Sequence, residues 1–461
     1  MPVYDVVIAG AGSAGCAAAY HLARRGLRVA VLERGALAAA GARWVNGVAP
    51  EMFDAAGLAR PAGDELRGGG GPFILCDPTT GARVTVPVSP VWQVDMPRLV
   101  ARLQALAASA GAHFFAHVRP LGLALEAGRP AALAATGGGV WRARLFVDAT
   151  GVTGALRRML PAFGGEALAP SDVCGAAQHV RRIADPAGAR DFLARWGVAR
   201  GANLAFAGLA GGYSTLVVQV DAALREVELL AGAAGPGGSG RRLLAAFVQR
   251  ERWIGPLVFG GQGAIPLRRP WRRFAAPGMA LVGDAACQVF PAHGSGVGAG
   301  LIAGRLLAEA AAARADAGGA GAMQAYQAAY RAGPGAVAAA YDVFRRLSQS
   351  LAGAEAARLV SAGLVSRGSL EAGLAQRMPA PGLGDGAAVA RGAVRAPRLA
   401  ARLAPALVHM GAAYALARVS AAHAAQQRPL DRAEKRQARR ARRQGERHPG
   451  GADGRETEQV A

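Results

Sequence analysis

The sequence predicts an α/β fold, in which a helix-flanked parallel sheet is interleaved with an antiparallel sheet and followed by a helical C-terminal region. Three observations carry this. Val6 to Ala9 and Leu27 to Leu32 are short apolar runs separated by an Ala-rich segment, Cys16 to Arg25, the pattern of buried parallel strands joined by a helix. Arg83 to Val88 and Gly211 to Asp221 are rich in β-branched residues and bounded by glycine, which marks strands of a second sheet. Beyond about residue 335 the chain is nearly all Ala, Leu, Arg and Gly with a helical period.

The first strand breaks into Gly10-x-Gly12-x-x-Gly15, with Ser13 and Ala14 inside the candidate cofactor-binding loop. Gly10 suits the tight turn, Gly12 lets backbone approach a pyrophosphate on the helix N-terminus, and Gly15 lets the helix lie close on the strand. The second strand ends on Glu33, followed by Arg34. Glu33 is placed to accept from a ribose hydroxyl and to repel a 2′-phosphate. The site therefore takes FAD or NAD rather than NADP, and this part of the fold is Rossmann-like.

Two later stretches choose between them. Met279 to Gly300 begins with a strand, Ala280 to Val282, then Gly283-Asp284, and ends in a second Ala/Leu helix; Asp148-Ala-Thr-Gly151 closes a strand, Leu145 to Val147, between the two regions. A carboxylate at a strand's C-terminal end lies where open α/β sheets bind ligands. The set resembles the FAD-dependent oxidoreductases of the p-hydroxybenzoate hydroxylase fold. That resemblance implies that the early glycines hold the adenosine diphosphate and that Asp284 bonds the ribityl chain. It implies that Pro291, Gly294, Gly296 and Val297 lie along the isoalloxazine, and that Asp148 and Gly151 let backbone pass close to FAD. It also implies that Arg43, in the loop after Glu33, and Arg98 or Arg102, on a helix opened by Asp95 and Pro97, approach the cofactor.

Residues 1–60, 95–170 and 277–335 are then expected to form the FAD-binding domain, and 61–94 and 171–276 an antiparallel-sheet substrate domain. Residues 336–427 form the helical C-terminal region, and 428–461 a basic, disordered tail. Gly68 to Gly71 reads as a turn and Gly232 to Gly240 as a loop. Leu403 to Ala417 carries no formal charge but falls short of the ~20 residues that span a bilayer, so it reads as a core-packing helix.

At 461 residues and 52% hydrophobic content the chain can bury more than one core. A net charge of +22 suggests nucleic acid, but Lys435 is the only lysine among 53 basic residues, a compositional bias, and no nucleic-acid module is visible. The four cysteines, Cys16, Cys76, Cys174 and Cys287, are widely spaced, which implies neither a metal site nor a disulfide framework. With no basic leader and apolar signal core, a reduced cytoplasm is expected, with peripheral contact to the inner membrane face through the basic tail.

His293 is the one proton donor in the loop facing the expected ring, and so the candidate catalytic residue. Gly294-Ser-Gly-Val297 lacks the asparagine common in hydroxylases and is closer to the geranylgeranyl reductases, as are Arg43-Trp-Val-Asn-Gly47 and Asp148 to Gly154. The expected activity is hydride delivery from reduced flavin to a C=C bond of an apolar, isoprenoid-like substrate. Electrons come from NAD(P)H or a separate reductase, since no second dinucleotide motif is present. The alternatives are a monooxygenase of aromatic or polyketide substrates and a catalytically silent flavin-binding scaffold.

Overall fold

The computed structural model describes residues 4–235, 237–380 and 382–426, so the expected tail, 428–461, lies outside the described residues. Strands Met279–Leu281, Leu145–Asp148, Val6–Ala9, Val29–Leu32 and His113–Phe115 lie side by side in that order, all parallel. Ala275–Ala276 adds a short antiparallel edge beside Met279–Leu281. Val6, Val7, Ile8 and Ala9 are sealed from solvent, as a strand covered on both faces requires.

Helix α1 (Ser13–Ala23) follows the first strand, α2 (Glu51–Ala55) lies further on, and α3 (Met96–Ser109) packs on α1. The Asp95 carboxylate accepts from Arg98 N at the start of α3, which satisfies one of the first-turn amides. Val45–Val48, Trp92–Asp95 and Leu66–Gly69 form a small antiparallel sheet, so Gly68 and Gly69 are strand rather than turn. A three-stranded meander, Pro120–Glu126, Arg129–Ala135 and Val140–Arg142, precedes Leu145–Asp148.

The second large sheet has seven strands, in the order Ile254–Pro266, Val173–Ile183, Glu226–Ala234, Ser214–Val220, Asn203–Ala207, Phe73–Cys76 and Arg83–Val86. All its pairings are antiparallel except Phe73–Cys76 with Asn203–Ala207. Gly232 to Ala234, expected in a loop, complete the third of these strands. Helices α4 (Pro186–Trp196) and α5 (Gly240–Arg250) cover one face, with Phe192, Phe247, Leu204 and Leu229 in the core between.

Helix α6 (Val297–Ala312) returns to the parallel sheet and packs along α1. A Cβ at Gly304 would stand 2.6 Å from Ala18 N, and one at Gly300 3.1 Å from the Ala14 Cβ. The Ala/Gly composition of both helices is what permits that approach. The C-terminal region follows as α7 (Ala320–Ala332), α8 (Pro334–Ser350), α9 (Gly353–Ser361), α10 (Arg367–Leu374), α11 (Leu383–Arg395) and α12 (Pro397–Gln426). Buried Arg345 on α8 pairs with Asp342 at 2.8 Å and Asp172 at 3.3 Å, and Arg268 reaches Asp172 at 3.6 Å. This shared network fixes α8 to the end of the seven-stranded sheet. Removing either partner would strand a buried charge.

Helix α12 departs from the sequence expectation. It is continuous through Pro405, and only 22% of its most apolar window is buried, so it is not a core helix.

Candidate functional site

The glycine loop, the acid at residue 33 and the loop after strand Leu145–Asp148 meet at one end of the parallel sheet. Gly10 has φ +106°, and a Cβ there would stand 2.3 Å from Ala149 O. A Cβ on Gly15 would stand 2.1 Å from Gly10 O. Both positions therefore require glycine, one for its conformation and one for the closeness of strand to helix. Glu33 closes the loop from the neighbouring strand: its Oε2 accepts from Ala11 N at 3.0 Å and its Oε1 from Gly35 N at 3.1 Å. A carboxylate has about four acceptor positions, so two remain for ligand hydroxyls. Arg34 beside it is exposed and has no partner among the described residues.

The third motif joins this end through α6. Ala14 touches both Gly283 and Gly300: a Cβ on Gly283 would lie 2.9 Å from the Ala14 Cβ. Asp284 sits against the loop that starts α6, its Oδ1 3.2 Å from a Cβ placed on Gly296. Pro291 is buried, Gly294 (φ +82°) packs on Ile265, and Ser295 Oγ donates to Gly47 O at 2.7 Å, tying the loop to strand Val45–Val48. Gly12, Ser13, Ala14, Gly283, Asp284, Gly296 and Val297 are thus brought together around two helix N-termini.

Those N-termini are electrostatically unpaired. The first intrahelical bonds are Cys16 N to Gly12 O in α1 and Gly300 N to Gly296 O in α6, so the three amides before each face outward from the helix. Neither first turn holds an acidic residue. Bare N-terminal amides and positive dipole ends suit a pyrophosphate at α1 and a developing anion at α6. The Asp284 carboxyl has no protein partner among the described residues, and burial alone pushes its pKa up to about 6. Asp284 keeps accessible surface at this end of the sheet, so a half-buried carboxyl without protein donors is open to the hydroxyls of a polyhydroxyl chain. The residues present therefore fit a flavin dinucleotide.

Several expected residues serve other ends. Asp148 is wholly buried and turned inward: its Oδ1 accepts from Thr150 N and Oγ1 at 3.0 and 2.6 Å, and its Oδ2 from Arg157 N at 2.8 Å. It shapes the loop of Ala149 to Gly151, whose backbone faces the glycines, while Gly151 (φ +68°) borders open space. Arg43 is exposed and donates to Ala38 O. Arg98 pairs with Asp64 at 3.2 Å, and Arg102 forks onto Glu65 at 2.6 and 2.8 Å. Both arginines are drawn to the 59–65 segment, away from the glycine loop.

Gln104, which sequence reasoning passed over, takes their place. It lies on another face of α3, and its Nε2 donates to Ala11 O at 3.2 Å and Leu37 O at 3.0 Å. Gln288 was also missed; its buried Oε1 accepts from Gly283 N at 2.7 Å and its Nε2 donates to Tyr326 Oη at 2.8 Å, which fixes the strand end carrying Asp284. Neutral amides give no charge signal in a sequence. Cys287 is a buried thiol, with its pKa raised by burial.

His293 is exposed at the loop, and its Nδ1 accepts from Ser295 N at 3.3 Å. Its ring keeps accessible surface, yet protein packs closely around it, with Phe290 at 4.6 Å and backbone carbonyls of Gly373 and Leu374 from the end of α10 as partners. Close packing around the ring lowers its pKa. It ties the loop to the C-terminal region.

Residues 5–68 match the model of a family described as FAD dependent oxidoreductase. Digeranylgeranylglycerophospholipid reductase 1 of Methanopyrus kandleri is 26% identical over 326 residues, which cover 67% of this chain and 80% of the relative. The chain is an FAD-dependent oxidoreductase. Its fold is shared by a geranylgeranyl bacteriochlorophyll reductase-like protein from Thermoplasma acidophilum (TM-score 0.68, 17% identity, 88% of this chain and 100% of that one). A flavin-dependent brominase is also similar (TM-score 0.55, 16% identity, 75% and 88%). The fold is that of the p-hydroxybenzoate hydroxylase group, and the likeness to geranylgeranyl reductases is supported at both levels.

Within this oxidoreductase, Glu33→Gln should weaken flavin binding only modestly, since one acceptor oxygen survives. Glu33→Arg leaves Ala11 N and Gly35 N unpaired. At ~1–3 kcal/mol for an unsatisfied buried group, affinity should fall roughly ten-fold or more. Fluorescence titration of the apo-protein measures both, and an Arg variant that binds like wild type would show that Glu33 does not hold the loop for its ligand.

Proposed function

We propose that the flavin is FAD and that the enzyme reduces a C=C bond of an apolar, isoprenoid-like substrate. What supports the reading most is the sheet face turned toward the cofactor end. Trp44 lies flat on Gly261 and Gly263, where a Cβ would stand 2.6 Å from the ring, and Val45 N donates to Gln178 Oε1 at 2.7 Å. Residues in register share a face. The row Leu75, Ala205, Val217 and Leu230 is apolar and continues through Gln178 to Gly261, and the next, Ala207, Thr215, Gly232, Ala176 and Gly263, is small. Opposite strand Val45–Val48 and the Pro291–Gly296 loop, these rows make an apolar floor suited to a hydrocarbon chain, with Glu228, held by Gln178 at 2.6 Å, on its margin. The likeness to a reductase of geranylgeranyl lipids points the same way.

Bound flavin supplies reversible two-electron chemistry. The chain's own residues hold the dinucleotide at Gly10 to Gly15, Glu33 and Asp284, and offer the α6 N-terminus to negative charge.

Anaerobic incubation of protein reduced with one equivalent of dithionite with a geranylgeranyl lipid is expected to give one reduced C=C bond per flavin reoxidised. Reoxidation only with oxygen, with hydroxylated product, would replace this reading with the monooxygenase. Stable reduced flavin under both conditions would replace it with the silent scaffold.

A further inference from the structure

Helix α12 has two apolar faces, and protein covers only one. Leu403, Ala406 and Met410 are buried, and Met410 clusters with Phe290 and Tyr341. On the opposite side, by the helical period, Val408 is 70%, Leu416 70% and Val419 59% exposed, with Ala412 and Ala415 between them. Val394 on α11 is 82% exposed nearby in sequence. No residue between Asp385 and Asp431 is acidic. Arg391, Arg395 and Arg398 have no acidic partner among the described residues, and Arg418 pairs only with the Tyr414 ring and hydroxyl. Residues 428 to 447, which follow directly, hold nine basic and three acidic residues.

We propose that α12 lies flat on an anionic lipid bilayer, its Val408–Val419 stripe sunk among the acyl chains and its arginines on the headgroups. The window Pro397–Ala421 is long and apolar enough to cross a membrane, but its buried face is packed on α7 and α8, and spanning would strip that face. An in-plane helix keeps it. Stable peripheral attachment needs two signals, and an apolar stripe beside a polybasic segment supplies both. A second copy of the chain is the poorer occupant, because two acid-free, arginine-bearing faces would repel. The inference does not depend on the substrate reading.

Flotation of the full-length, flavin-loaded protein with phosphatidylcholine vesicles, with and without phosphatidylglycerol, tests it. Wild type should float with the anionic vesicles at low salt and much less with the neutral ones. Val408→Asp combined with Leu416→Asp should cut partitioning at least about ten-fold. Val88→Asp, at an equally exposed position (69%) by the other sheet, should leave it unchanged. Retained flavin absorbance and thermal midpoint confirm that each variant is folded. Three results would overturn the proposal: no flotation of wild type at low salt, a double variant that floats like the Val88 control, or a dimer in sedimentation that the double variant splits while vesicles bind neither form.

Discussion

Asp284→Ala is expected to lower flavin affinity by roughly ten- to a hundred-fold, the worth of a charge-assisted hydrogen bond at ~1.5–3 kcal/mol. The same change at Asp185, which caps α4 by accepting from Ala187 N, should leave flavin affinity unchanged. Asp284 has no protein donor among the described residues, and desolvation raises its pKa to about 6. A raised acid pKa means the flavin-free fold holds its proton after the unfolded chain has lost it. Asp284 therefore subtracts stability as pH rises from near 4 to about 6, and the loss stays above that. Asp284→Asn should make the apo-protein at least as stable as wild type at pH 7 while still weakening flavin binding. Hydroxyl donors favour the carboxylate, so wild-type affinity should fall as pH drops through about 6, and the Asn variant should lose that dependence. Thermal melts and fluorescence titrations across that range measure both. Equal flavin affinity of Asp284→Ala and wild type would remove Asp284 from the site.

Gly15→Ala should be the more damaging substitution to the fold itself. Its Cβ would fall 2.1 Å from Gly10 O and 3.0 Å from the Ala149 Cβ, and the nearer obstacle is backbone that cannot step aside. Pushing α1 off its strand would also move Ala14 away from Gly283 and Gly300, opening the junction of all three motifs. Overpacking of a buried contact costs ~1–3 kcal/mol where side chains yield, and more where they cannot. Expected outcomes are a clearly lowered thermal midpoint and little retained flavin. Gly165→Ala is the control, because nothing lies within 4 Å of its added Cβ and its φ is ordinary. A Gly15 variant that melts and binds flavin like that control would mean the helix does not sit on the loop as described.

Residues whose role is set by local backbone were the legible ones. Gly10, Gly12, Gly15, Glu33 and the Gly283-Asp284 turn each follow from a strand, a turn and a helix in sequence order, and the structure brings them to one sheet end. Residues whose role depends on distant neighbours were not. Arg98 and Arg102 looked available for the cofactor, but Asp64 and Glu65 take them through a contact that no local pattern records. Gln104 and Gln288 do their work as neutral amides and stood out by neither charge nor period. The partners of His293 at Gly373 and Leu374, on the end of α10, are likewise distant in sequence. The apolar floor exists only in the register of six strands drawn from residues 73 to 266, and register over such separations is invisible in the chain. The uncharged run Leu403 to Ala417 is shorter than α12 because Arg402 and Arg418 bound it, although both lie on the helix and Arg402 pairs with Glu355 at 2.7 Å.

Whether the three motifs form one flavin site is tested most directly by the absorbance spectrum of the purified protein, together with the mass of the ligand released on denaturation. The account predicts a yellow protein that releases about one non-covalent FAD per chain, as a single dinucleotide site requires. A colourless protein that takes up no added FAD, or one that releases NAD instead, would contradict it.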